Sequence, residues 1–357
     1  MRAVLIIFLI AVAAAAFVAL GERVHAGAKV APAPRHAVHA GAKVAPAPRH
    51  PVHAVRHLRA PRRPPQFVVA SFDGSGGARL LGYWRGVARR AQARFTFFVS
   101  GVYLFDWAHR DRYAPPGHAR GESAIGFAPD QAWVAAMRRQ LAAAYTEGHE
   151  IGTHYNGHFC GPGGVGSWSA RDWGAELEQF DAFLLEGSPR LPFDAGDVVG
   201  GRTPCLEGDL AALYPVLARR GFRYDASGQA LLGTWPTRRD GIWSFPLPEL
   251  PFVGHTFRVI GMDYNFMANQ IDESPARIES ESYRTLWNAF LVSYRGNRAP
   301  LSLGNHFETW KSWAYDHALT RFLLRACRMP EVRCTSYEHL ADWLDALQPK
   351  ALRRYRA

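Results

Sequence analysis

Cysteine is scarce: four residues in 357, too few for a small disulfide scaffold. None of them forms a Cys-x-x-Cys pair, which argues against zinc held by cysteine. Charge is modest too, at 20% against 48% apolar residues, a globular composition and not a disordered one. A basic body is also lacking. The formal charge is +11, but residues 22–65 carry +8, Arg2 adds one and the stretch from Lys350 adds four. The rest of the chain stands at −2, which argues against a nucleic-acid-binding core and places the basicity at the ends.

What is present begins with a targeting segment. Arg2 precedes an uncharged run over residues 3–20, and Val24-His25-Ala26 can end a cleavage site. The run is longer than most signal cores and nearly long enough to span a bilayer. Residues 1–26 are therefore expected to be a signal peptide or a membrane anchor. Either exports the body, to the periplasm or the medium. Residues 25–52 hold a tandem repeat, HAGAKVAPAPRHAV followed by HAGAKVAPAPRHPV. Its prolines block helices and ladders, so residues 27–66 read as an extended basic linker. Such a linker can touch anionic polymer or be only a solvated spacer. Six of the fifteen histidines lie in residues 22–65 without fixed geometry.

All four cysteines fall in the exported part, where an even count suggests two disulfides. Three pairings are possible. A local loop closed by Cys327 and Cys334 is the simplest, leaving Cys160 with Cys205.

From Phe67 onward apolar strands alternate with helical spacing. Strands are expected at 67–72, 95–99, 150–154, 198–202, 222–226, 257–262 and 299–304. Helices are expected at 78–93, after the cap Asp130, after the box Ser169-x-x-Asp172, at 208–220, 281–295 and 312–326, and after Thr335-x-x-Glu338. This predicts an α/β fold, a barrel-like parallel sheet with helices outside, as a single domain over 67–348. Residues 349–357 would be a basic C-terminal tail.

In such barrels the chemistry sits where strands run into loops. Five strand ends carry unusual polar residues. Asp73 follows the first strand beside glycines, though Asp before Gly is often a plain turn. His154 and His158 lie four apart after the third strand and can converge on a cation that suits imidazole. Arg202 can hold a carboxylate through its planar fork, or form an ordinary surface ion pair. Asp225 can partner Arg202 or cap a turn. His306 ends the last long strand, placed for proton transfer.

In order and rough spacing, Phe72-Asp73, Phe95–Val99, Gly148–His158, Gly201-Arg-Thr-Pro204, Gly221–Asp225 and Leu301–His306 resemble the polysaccharide deacetylases, the NodB-homology group or carbohydrate esterase family 4. Asn297–Pro300 and Trp235-Pro236 look most like the chitin-deacetylase-like branch. The resemblance covers about residues 67–345. It implies a distorted (β/α) barrel and metal-assisted removal of acetyl groups from a polysaccharide, with Zn2+ or a similar metal. Carried over by position, it makes His154 and His158 metal ligands, Asp73 the general base, Arg202 its holder and His306 the general acid. Asp225, Trp235 and Tyr264 are expected on the substrate side. Phe159, Trp168, Phe266 and Trp310 are further aromatics from which two or three would line a groove. A Cys160–Cys205 bridge would tie the loops carrying His158 and Arg202.

One departure stands out. The second Asp of the family's pair, a metal ligand, matches Gly74 here. Catalytic zinc wants three protein ligands. Asp73 could turn to the metal, Asp263 could fill the gap, or the protein could be a glycan-binding module on the same scaffold. The expected partners are a polysaccharide and, at the N-terminus, a membrane; no nucleic acid is expected, and the chain is expected to be a monomer.

Overall fold

The first strand shows how the sequence builds the fold. Residues 66–74 (QFVVASFDG) are apolar almost throughout, because both faces of β1 (Gln66–Gly74) are buried. Val68, Ala70 and Phe72 join one core with Trp84, Phe95 and Phe97. Phe67 and Val69 join a second with Phe98, Tyr224, Tyr337 and Trp343. Ser71 and Asp73 continue that second face, so the polar end of β1 opens from the same side as the second core.

The computed structural model describes residues 61–74 and 77–356. The expected signal or anchor and the tandem repeat lie outside the described residues, as do Ser75 and Gly76 of the first turn. The strands are β1, β2 (Thr96–Val99), β3 (Glu150–Thr153), β4 (Gly200–Gly201), β5 (Tyr224–Asp225), β6 (Gln229–Leu231), β7 (Thr237–Arg239), β8 (Ile242–Ser244), β9 (Leu247–Pro251), β10 (Arg258–Ile260), β11 (Leu301–His306) and β12 (Val332–Cys334). The helices are α1 (Gly77–Ala91), α2 (Gln131–Thr146), α3 (Ala170–Leu185), α4 (Leu210–Arg219), α5 (Asp263–Ala268), α6 (Pro275–Arg295), α7 (Trp310–Ala326), α8 (Tyr337–Asp345) and α9 (Pro349–Arg356).

The main sheet runs β11-β1-β2-β3-β4-β5-β8-β7, parallel until the β7–β8 hairpin, with β12 also beside β1. A smaller sheet runs β10-β9-β6. It abuts β11 through the Gly304 N–H to Gly261 carbonyl bond, 2.9 Å, beside a Met262–Gly304 bridge. This is the expected distorted (β/α) barrel. The distortion has a visible cause: β4 and β5 span two residues each, and the smaller sheet takes the place of further long parallel strands. The 257–262 strand accordingly belongs to the smaller sheet, antiparallel to β9.

Helix starts follow their capping chemistry. Asp130 accepts from the Trp133 amide, and Ser169 and Asp172 form the full box. The last predicted cap is off by one residue: Ser336, not Thr335, caps α8. The basic end is no free tail over its described residues. Ala351, Leu352 and Tyr355 are buried, so α9 lays an apolar stripe on the domain and turns its arginines outward. Tyr355 also donates to the Pro61 carbonyl, 2.6 Å, which ties α9 to the segment before β1.

Both disulfides are Cys160–Cys205 and Cys327–Cys334, as the simplest pairing predicts.

Candidate active site

Asp73, His154, Arg202 and His306 stand at the C-terminal ends of β1, β3, β4 and β11, where β11 pairs with β1, β3 pairs with β4, and β2 lies between the two pairs. Arg202 is the hub. Its Nη1 donates to Asp73 Oδ1 and to Ser71 Oγ, each at 2.9 Å. Its Nη2 donates to Tyr337 Oη and its Nε to the Ala226 carbonyl, both at 3.0 Å. The guanidinium lies over the Phe98 ring, 4.9 Å from its centre. Burial alone would raise the Asp73 pKa, but the Arg202 charge, with His154 and His306, outweighs it and holds the carboxyl below its ordinary value. Asp73 is thus an anchored anion.

His154 donates from Nδ1 to the Arg202 carbonyl, 2.8 Å, which leaves Nε2 for a ligand. Burial drives its pKa down to about 3. His158 is lowered by burial as well, so both imidazoles are neutral, the form that binds metal. Their ring centres are 5.0 Å apart.

The loop between them is tightly held. Tyr155 and His158 both take positive φ, 59° and 58°. Buried Glu176 accepts from the Asn156 amide at 2.9 Å and from Tyr113 Oη at 2.9 Å, and Tyr113 Oη in turn accepts from the Gly157 amide at 3.0 Å. A Cβ on Gly157 would stand 2.6 Å from the Tyr113 ring, so only glycine fits. The Cys160–Cys205 bridge then fastens this loop to the one following Arg202.

His306 faces a different partner. Its Nδ1 lies 2.7 Å from Asp263 Oδ1, and its backbone amide donates to Asp263 Oδ2, also 2.7 Å. Burial pulls the imidazole pKa down, but the Asp263 carboxylate wins and raises it above the ordinary value. Tyr264 and Trp310 stand beside the ring, with centres 6.2 and 5.7 Å from it.

Several expectations need correction. Asp263 does not fill the ligand gap, because both its oxygens serve His306. Asp225 neither pairs with Arg202 nor faces substrate. It is 1% exposed, accepting from Ser227 Oγ at 2.5 Å and Tyr214 Oη at 3.2 Å. Ser227 Oγ accepts the Thr203 amide, so Asp225 supports the Arg202 loop from below. Trp235 is 3% exposed, stacked on Tyr355 and Trp343 in the second core. Trp168 and Phe266 are buried too. Tyr264, 49% exposed, and half-buried Trp310 remain at the site mouth.

The metal's fit can be judged from the donors. Two neutral imidazoles and an adjacent carboxylate suit a divalent transition metal. Gly74 offers no third side chain. Among the described residues, the trios of donors lying within 4.8 Å of one another are His158–Cys160–Cys205, whose cysteines are bonded to each other, and His255–Glu273–Glu281. Neither joins His154 to Asp73. The residues therefore fit a metal as a two-histidine site, with Asp73 as the neighbouring carboxylate.

No family model matches the chain, and no curated protein matches it. Solved structures do. A Mycobacterium smegmatis protein assigned as a polysaccharide deacetylase superposes with a TM-score of 0.52 at 16% identity, over 81% of this chain and 94% of that one. A Pseudomonas aeruginosa PAO1 protein assigned likewise gives a TM-score of 0.50 at 13% identity, over 83% and 98%. The fold is that of the polysaccharide deacetylases. At these identities the likeness is one of fold, and the chemistry of a deacetylase fold must be argued from its side chains.

Sequence reasoning missed the Glu176–Tyr113 support, which lies in a helix and a loop far from any motif. It also missed the role of Asp263. Its approach to His306 depends on the smaller sheet docking against β11.

Proposed function

We propose that the chain is an exported, metal-dependent hydrolase that removes acetyl groups from a polysaccharide. The observation that carries this reading is an opposed acid–base pair. Asp73, held anionic by Arg202, and His306, biased toward its protonated form by Asp263, stand at neighbouring strand ends beside two neutral imidazoles.

His154 and His158 would hold the metal, which when bound supplies polarisation of the acetyl carbonyl and acidifies water. Asp73 takes the proton from the attacking water as its oxygen bonds to the carbonyl carbon. Arg202 fixes the carboxylate in position and keeps it deprotonated between turnovers. His306 gives its proton to the sugar nitrogen or oxygen as the bond to the acetyl carbon breaks. Acetate and a free amine or hydroxyl leave. Asp263 restores the charge balance of the imidazolium and sets its ring. Tyr264 and Trp310 offer exposed aromatic surface for a sugar ring at the mouth. The two disulfides support an oxidising compartment, in keeping with export.

Gly74 favours a second reading, a glycan-binding module that does no chemistry. Acetate release from a chitin oligomer and from an O-acetylated xylan separates the two. The deacetylase releases acetate, and Asp73→Asn and His306→Ala each lower the rate. A binding module retains the glycan in a pull-down and releases none.

A further inference from the structure

We propose that His255, Glu273 and Glu281 form a second divalent-metal site, a structural one, apart from the two-histidine site. His255 lies in the turn between β9 and β10. Glu273 precedes α6, and Glu281 lies on its second turn. The His255 Nε2 atom is 3.9 Å from Glu273 Oε1 and 4.0 Å from Glu281 Oε2. Two ligands each about 2.0–2.2 Å from one ion can stand up to roughly 4.4 Å apart, so one ion can bridge these donors. The same gaps are too long for N–H···O hydrogen bonds.

The atoms are short of partners in the way an ion would resolve. His255 Nε2 is shielded from solvent and makes no hydrogen bond. Gln270, 1% exposed, donates from Nε2 to Glu281 Oε2 at 3.0 Å, while its Oε1 is buried without a partner. Arg277 is the cation already present. Its Nε contacts Glu281 Oε1 at 2.9 Å and Glu273 Oε2 at 3.2 Å, and its side chain is 59% exposed. It therefore serves the outer oxygens. The inner pair, Glu273 Oε1 and Glu281 Oε2, faces the imidazole. The ring is aimed by its setting: it stacks on Phe252 with centres 4.2 Å apart and planes 13° apart. An orphaned imidazole nitrogen against two carboxylates is a donor set for zinc or a neighbouring ion.

The site would pin the β9–β10 turn to α6. The chain between them carries α5, whose first residue, Asp263, holds His306. The ion would stiffen that segment without touching substrate.

The test uses zinc as the probe on full-length, chelator-stripped protein carrying His154→Ala, read by calorimetric titration and thermal unfolding. The expected result is about one zinc per chain with a rise in melting temperature. Adding His255→Ala should abolish both. Adding Glu273→Gln, a near-isosteric change at a partly exposed position, should weaken zinc at least tenfold, and it decides the matter if His255→Ala does not fold. In the otherwise native chain His255→Ala should remove one bound zinc, and Glu273→Gln should weaken one by at least tenfold. The proposal is overturned if the His154→Ala protein binds no zinc, or if Glu273→Gln leaves affinity and stoichiometry unchanged. Neither result depends on deacetylase activity.

Discussion

Arg202 and Asp73 form an ion pair at 2.9 Å with side chains 0% and 2% exposed. A pair this buried is held by its surroundings as much as by its charges. Ser71, Tyr337 and the Ala226 carbonyl occupy the other donors of the guanidinium. The Asp73 carboxylate is thus set by contacts from β1, β4, α8 and the segment after β5.

Removing Arg202 should cost more than removing its partner's charge. Arg202→Met leaves a buried carboxylate unpaired, and should destabilise the protein by about 3–5 kcal/mol. Asp73→Asn keeps the shape and a hydrogen-bond acceptor, and should cost less. Chemical denaturation of both variants measures this. A smaller loss for Arg202→Met than for Asp73→Asn would contradict the buried-pair account.

Glu176 supports the loop carrying His154 and His158 from beneath. Glu176→Ala removes the acceptor of the Asn156 amide and of Tyr113, and should destabilise by about 1–3 kcal/mol per buried group left unsatisfied. It should also weaken metal binding, because the positive-φ turn carrying His158 relaxes. Glu176→Gln should retain most of both. Equal metal affinity in native and Glu176→Ala protein would show that the loop holds its shape unaided.

Stability should carry the signature of buried acids. Burial pushes Glu150 and Glu176 up to about 7 from 4.5. A raised carboxyl contributes stability that is full below about 4.5 and is lost as pH rises through about 7, up to about 1.4 kcal/mol per pH unit per group. His149, pushed down to about 4 by burial, works the other way below pH 6.5. The difference between native and Glu150→Gln protein isolates one acid. Glu150→Gln should become relatively more stable from pH 5 to 8. A difference that does not change with pH would refute the assignment.

Much of this architecture was legible in the sequence. The long parallel strands are apolar on both faces, and the caps at Asp130 and Ser169 follow local chemistry that needs no tertiary context. The two-residue strands β4 and β5 were read too long, because Val198, Val199 and Phe222 look like strand residues yet pack as loop. Asp225 and Trp235 were read as exposed because polar and aromatic residues at strand ends suit a binding site. Burial depends on what packs over them. Trp235 is covered by Trp343 and by Tyr355 of α9, a helix whose arginines make it look like a tail.

Under the proposed function, Gly74 is the position where a third ligand is missing. Its φ is 94°, and a Cβ there would meet nothing within 4 Å. Space is available, and only the backbone resists. Gly74→Ala reports the strain, about 1 kcal/mol. Gly74→Asp should carry the same strain yet bind zinc more tightly than Gly74→Ala. Equal affinity in the two variants would show that a carboxylate at this position does not reach the ion.

The most direct test of the central claim is acetate release from an acetylated glycan, measured as zinc is added back to chelator-stripped protein. The account predicts no release from the stripped protein, a rise to a plateau with added zinc, and no recovery in His154→Ala. Undiminished release after stripping, or none from folded, zinc-loaded protein on either N- or O-acetylated glycans, would contradict it.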